Sequence, residues 1–172
     1  MIKTDRLEIR TVSIDDWKAI QAIWLDQSKS YFAPYIKPKS LDNQSVFYEI
    51  KKWSSYTDNS KHHYYVICCN KVIIGYVALH RREDIFEIGY CFHSDYQGKG
   101  YAKESISALL DYMKGLGASR IMAQTALKNI PSVKLLLALG FIQTNTKKVS
   151  FYQDEKGKDI VFDDGVFELI QP

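Results

Sequence analysis

Ala102, Ile106, Leu109, Leu110 and Met113 recur at spacings of three and four, which predicts an amphipathic helix that Gly115 and Gly117 can stop. It is the clearest helix in the chain. Upstream, Leu7-Glu8-Ile9-Arg10 alternates as a half-buried strand does, and Ser13 stands three residues before Asp16 as a cap-like pair. The apolar run Trp17, Ile20, Ala22, Ile23, Trp24 and Leu25 then predicts the first helix, and residues 42–55, with Val46, Phe47, Ile50 and Trp53 on one side, predict the second. Between them, residues 28–40 hold two prolines and three aromatics, which predicts an ordered loop.

From Tyr64 the period becomes that of strands. Residues 64–69 and 72–79 are β-branched and aromatic runs parted by Asn70-Lys71, a tight hairpin turn, and after a polar turn at 81–84 residues 85–92 complete a meander. Residues 121–126 read as a further strand. Pro131 can open a short helix that Gly140 closes, and residues 141–153 and 159–170 read as two final strands around Lys156-Gly157-Lys158. Strands thus alternate with helices after an antiparallel start, which predicts one α/β (α+β) domain over residues 1–172 with a mixed sheet.

Composition adds limits. A chain of 172 residues, 46% apolar and 13% aromatic, can build one sizeable core. A net charge of +3 is weaker than the basic excess usual for a binder of phosphate backbone, so no direct nucleic-acid partner is expected. Cys68, Cys69 and Cys91 lack C-x-x-C spacing and sit in apolar runs, which suits a reducing cytoplasm. No apolar stretch is long enough to span a bilayer, and MIKTDRLEIR is too charged for a signal peptide. His62, His63, His80 and His93 show no metal-ligand spacing, so no metal is expected.

The chemistry gathers at residues 87–102, an apolar strand followed by a glycine loop and a helix start. Such a turn aims backbone N–H groups and the positive end of a helix dipole at one point, which favours an anion. Gly98-Lys99-Gly100 matches the dinucleotide fingerprint only in part, because Lys103 stands at its third glycine, and no Walker A sequence occurs. A ligand-free glycine turn is an equal alternative at this point.

Gln97-Gly98-Lys99-Gly100-Tyr101-Ala102 resembles the pyrophosphate signature of the GNAT superfamily of acyl-CoA-dependent N-acyltransferases, [QR]-x-x-G-x-[GA]. Asn129-Ile130-Pro131-Ser132 followed by Leu139-Gly140-Phe141 resembles its next block. Thr4-Asp5-Arg6-Leu7-Glu8-Ile9-Arg10 and Glu87-Ile88-Gly89-Tyr90 are similar to the Rim-type branch of ribosomal-protein N-terminal acetyltransferases.

The resemblance implies a mostly antiparallel central sheet with two splayed strands, acetyl-CoA as co-substrate and a primary amine as acceptor. Pantetheine would pair near Tyr90, Cys91 and Phe92, pyrophosphate would rest on Gln97, Gly98, Lys99, Gly100, Tyr101 and Ala102, and Asn129 would bind pantetheine or hold its loop, with Ser132 also at the cofactor. Glu87 is the implied base and Ser132 the implied acid for the departing thiolate, because Leu136 stands where many members carry a tyrosine. Leu137-Ala138 also departs from the polar pair often found there. Tyr31, Phe32, Tyr35 and Trp53 are candidate acceptor walls, and Asp154, Glu155, Asp163 and Asp164 could attract a cationic amine, although these aromatics also fit plain core. A monomer or homodimer in the cytoplasm is expected. The alternatives are a CoA-binding sensor or interaction module with little catalysis and a nucleotide-dependent oxidoreductase.

Overall fold

A computed structural model describes residues 1–57, 60–83 and 85–170. Its order is β1 (Ile2–Lys3), β2 (Glu8–Thr11), α1 (Trp17–Ser28), α2 (Asn43–Ser54), β3 (His62–Cys69), β4 (Val72–Arg82) and β5 (Ile85–Phe92). It continues through α3 (Tyr101–Gly115), β6 (Arg120–Ala126), α4 (Ile130–Ala138), β7 (Ile142–Gln153) and β8 (Asp159–Ile170). The strands form one sheet in the order β1-β2-β3-β4-β5-β6-β8-β7. All neighbours are antiparallel except β5 and β6.

Local chemistry explains the boundaries. The Ser13–Asp16 capping box nucleates a 3-10 turn that runs into α1, and the Asp42 carboxylate accepts from Ser45 N–H to start α2. Asn70 and Lys71 both adopt positive φ, 49° and 66°, as the two-residue hairpin turn requires. Phe141 does not start β7 but closes α4. Its N–H donates to Leu136 O after Gly140 turns left-handed at φ 89°, and its ring is buried.

The polar turn expected at 81–84 is shorter than the sequence suggests. Arg81 and Arg82 remain in β4, paired with Phe86 and Ile85, because Arg81 lies over the Phe86 ring at 5.9 Å and Arg82 reaches Glu87. Asp84 lies outside the described residues. β1 has too few residues to show a period, and it pairs with β2.

Two apolar cores sandwich the sheet. One, built with α3 and α4, contains Ile88, Phe92, Ile106, Leu109, Leu136, Phe141 and Phe167. The other, under α1 and α2, contains Ile20, Ile23, Trp24, Ile50, Trp53, Tyr76 and Cys91. Alternation along β5 therefore puts Glu87 and Gly89 on the face of Cys91, and Tyr90 on the opposite face.

Candidate active site

The parallel contact between β5 and β6 is three residue pairs long, ending at Ile88↔Ala123. Beyond it, β5 stays with β4 as far as Phe92 and β6 stays with β8 as far as Ala126, so the two strands part at their C-terminal ends. The resulting gap leaves one edge of β5 open to an added extended chain. His93 N–H turns to Ile74 O on β4. Alternation therefore turns the backbone groups of Tyr90 and Phe92 to the gap and those of Cys91 to β4. Cys91 is corrected accordingly: its backbone serves β4, and its thiol, pushed up to about 12 by burial, sits in the second core.

The glycine loop follows directly. Gly98 and Gly100 adopt φ 72° and 81°, and Gly100 is the N-cap of α3. The first bond closing the helix runs from Glu104 N–H to Gly100 O, leaving the N–H groups of residues 98–102 without an acceptor among the described residues. A Cβ at Gly98 would meet nothing within 4 Å, whereas one at Gly100 would lie 3.3 Å from Arg6 Nη2.

Arg6 holds this loop from outside. Its guanidinium donates to Lys99 O at 3.0 Å, pairs with Glu104 and lies 4.6 Å over the Tyr101 ring. Desolvation opposes ionisation of Glu104, but hydrogen bonds from Thr4 and Arg6 outweigh it and lower its pKa. The Gln97 side chain donates to Phe92 O at 2.9 Å, tying loop to strand, and Lys99 Nζ donates back to Asp95 O. These two residues shape the cradle, and Ala102 packs against the first core. The arrangement fits a pyrophosphate, because free amides converge at a helix start while small residues leave room for close approach.

Across the gap, Asn129 caps α4, its Oδ1 accepting from Ser132 N–H at 3.4 Å. Ser132 Oγ lies 2.9 Å from the Tyr90 hydroxyl, a contact between β5 and α4 that sequence spacing could not reveal because 42 residues separate the pair. Burial pushes the Tyr90 phenol up to about 12, with the Ser132 bond opposing, so it remains a hydrogen donor near neutrality. Leu136 is 1% exposed within the first core. Its position is one of packing, and a phenol enters from β5.

On the opposite face, Gly89 is exposed and a Cβ there would meet nothing within 4 Å, so a hollow stands beside Glu87. Glu87 Oε2 lies 2.8 Å from Arg82 Nε, near enough for an ion pair but not aligned as an N–H···O bond. This buried oxygen has no hydrogen-bond partner among the described residues. His80, its register partner on β4, contacts His62 through Nδ1 atoms 2.8 Å apart, and burial lowers its pKa.

The proposed walls separate. Tyr35 meets the buried Phe162 at 5.3 Å, and Phe151 reaches the same ring at 5.5 Å. Tyr31 is 79% exposed and touches Phe32. Trp53 lies deeper than the others: it is 6% exposed and stacks on Tyr64 at 4.1 Å. Among the acids, Asp154 accepts N–H groups of its own turn, Asp163 pairs with Lys148 and Glu155 is exposed. Asp164, opposite Ala126 at the end of β6, is half-buried, and desolvation raises its pKa against Lys147. No group of three or more His, Cys, Asp and Glu suited to a metal occurs among the described residues, and none of their helices is long and apolar enough to cross a membrane.

Comparison with known proteins agrees with this geometry. Residues 6–142 match the acetyltransferase (GNAT) domain. The uncharacterized N-acetyltransferase YnaD of Bacillus subtilis (strain 168) is 30% identical over 142 residues, covering 81% of each chain. The ribosomal-protein-S5-alanine acetyltransferase of Vibrio fischeri superposes with a TM-score of 0.82 at 22% identity, covering 99% of this chain and 98% of its own. RimL, a ribosomal L7/L12 α-N-protein acetyltransferase solved with coenzyme A, shares the fold with a TM-score of 0.83 at 17% identity, covering 97% and 95%. With a matched domain over most of its length and a split sheet ending in an amide cradle, the chain belongs to the GNAT family of acetyltransferases and is an acetyl-CoA-dependent acyltransferase.

Proposed function

We propose that the chain moves the acetyl group of acetyl-CoA to a primary amine, a protein N-terminal α-amine or a small-molecule amine, by direct attack in a ternary complex. The observation that carries this reading is the three-pair β5–β6 ladder, beyond which the backbone groups of Tyr90 and the N–H of Phe92 face the gap, and which leads to the amide cradle at 98–102. When bound there, the co-substrate supplies an activated thioester. Every other requirement falls to side chains and amides of this chain.

Tyr90 N–H faces the gap and is the donor for the oxyanion. Glu87, held beside the hollow at Gly89, takes the proton of the incoming amine directly or through a water. Asp164, at the other lip of the gap, draws a cationic amine toward it. Ser132, oriented by its hydrogen bond to the Tyr90 phenol, gives a proton to the departing thiolate and takes one back from solvent.

An amine and peptide screen with detection of the free thiol tests the reading. Acetyl-CoA binding without thiol release across a broad panel would leave only the sensor alternative. Glu87→Gln is expected to lower kcat about a hundredfold, the low end for a positioned general base, and to flatten the acid limb of the rate profile. A limb that survives Glu87→Gln and disappears in Asp164→Asn moves the base to Asp164. Tyr90→Phe removes one hydrogen bond and is expected to lower kcat about tenfold with acetyl-CoA affinity nearly unchanged. Equal losses in affinity and turnover would instead make the phenol a packing group.

A further inference from the structure

Lys39 stands on an exposed loop, yet its ammonium is set among three aromatic rings of the second core. Nζ lies 4.1 Å from the Trp24 ring centroid, 5.4 Å from Trp53 and 5.9 Å from Tyr76, each within the range of a cation–π contact. The cage is rigid. Trp24 Nε1–H donates to the Tyr76 hydroxyl at 3.0 Å, and Trp24 and Trp53 meet edge to face at 5.6 Å. Trp24 and Lys39 also line a depression with Gln27, Ile36, Leu41 and Tyr152, so the Lys39 chain stands between the cage and solvent.

Its position ties it to the reaction. Tyr76 is the register partner of Cys91, and both belong to the core on the face of Glu87 and Gly89. The cage therefore lies on the acceptor's side of β5, next to the strand proposed to carry pantetheine. A lysine ammonium seated there has the shape of an acceptor amine presented by the chain itself.

We propose that the Trp24–Trp53–Tyr76 cage is the acceptor's ammonium subsite, that Lys39 fills it in cis, and that the acceptor carries a primary alkylammonium group of lysine-like shape. The proposal rests on the N-acetyl transfer reading for the meaning of the word acceptor, but the cage stands on its own geometry. Loss of water around Lys39 lowers its pKa, with Glu49 opposing. Lys39 must leave before the acceptor enters, so the apparent affinity of the acceptor is reduced by the fraction of time the cage is filled.

Lys39→Ala and Lys39→Met alter an exposed loop residue and leave the core intact. With n-butylamine as the probe in calorimetry, Lys39→Ala, which empties the cage, is expected to bind about tenfold tighter than the parent, as for a site otherwise free in roughly a tenth of molecules. Lys39→Met, whose uncharged chain of similar length still fills it, is expected to gain less. Sodium butyrate should bind none of them. Equal n-butylamine affinity in all three proteins overturns the proposal, as does butyrate binding by the parent that Lys39→Ala abolishes, which would make Lys39 a hook for anions. Acetyl-CoA binding and thiol release are measured on the same samples. If they are intact and n-butylamine gains nothing, the cage proposal fails alone. If n-butylamine gains but acetyl-CoA neither binds nor releases thiol, the transfer reading fails and the ammonium cage stands.

Discussion

Gly100→Asp is expected to abolish the rise in melting temperature that acetyl-CoA gives the parent protein and to weaken acetyl-CoA binding by at least about a hundredfold. Three effects act together. Gly100 sits at φ 81°, where a residue with a Cβ pays roughly 1–2 kcal/mol. The new Cβ would stand 3.3 Å from Arg6 Nη2, so the arginine that holds Lys99 O must shift. The carboxylate then lies among the amides of residues 98–102 and repels the anion they serve. Losing charge-assisted hydrogen bonds at about 1.5–3 kcal/mol each accounts for two or more orders of magnitude. Gly98→Ala isolates the conformational part, because its φ is 72° but nothing lies within 4 Å. Thermal shift and calorimetry with acetyl-CoA check both, and an unchanged shift in Gly100→Asp would remove the pyrophosphate from this loop.

Asp16→Ala is expected to cost about 3 kcal/mol of folding stability, which lowers Tm by roughly 6–12 °C in a chain of this size. Asp16 is 6% exposed and receives two bonds of 2.8 Å from Arg10 and one of 2.7 Å from Ser13 N–H. Its removal strands a guanidinium against Cys68 in the second core and deletes the capping box before α1. The Arg10 side chain is one-third exposed, so water recovers part of the loss and the upper end of the range for buried pairs is not reached. Asp16→Asn keeps the shape of the cap and should lose less. Denaturant unfolding with an unchanged m-value is the measurement, and a loss below about 1 kcal/mol would reduce the pair to a surface contact.

What was legible in the sequence divides along a physical line. Features set by neighbours in the chain could be read directly. Asn70-Lys71 tolerates positive φ, Ser13–Asp16 caps a helix, and Gly100 opens α3 where a Cβ would intrude. The α/β order and the splayed pair also held, the latter through the resemblance of the glycine loop to a known signature. Features set by distant partners could not be read. Nothing local places β8 between β6 and β7, and a phenol on β5 gives no sign of the serine 42 residues later. Counting along α4 identified Leu136 as a missing acid, but only packing shows that its side chain faces the core. Trp53 could be read as an aromatic wall, but its burial against Tyr64 could not, because aromatics of the surface and of the interior look alike until their neighbours are known.

The three-pair junction between β5 and β6 has a consequence for how the molecule comes apart. It joins two antiparallel blocks, β1 to β5 and the trio of β6, β8 and β7, which meet besides through the side chains of the first core. Parallel ladders need long crossovers and form late. The seam is therefore expected to give way early when the native state opens, and a ligand lying across it to act as a rivet between the blocks. Its stabilisation falls on the unfolding rate and leaves the folding rate nearly untouched.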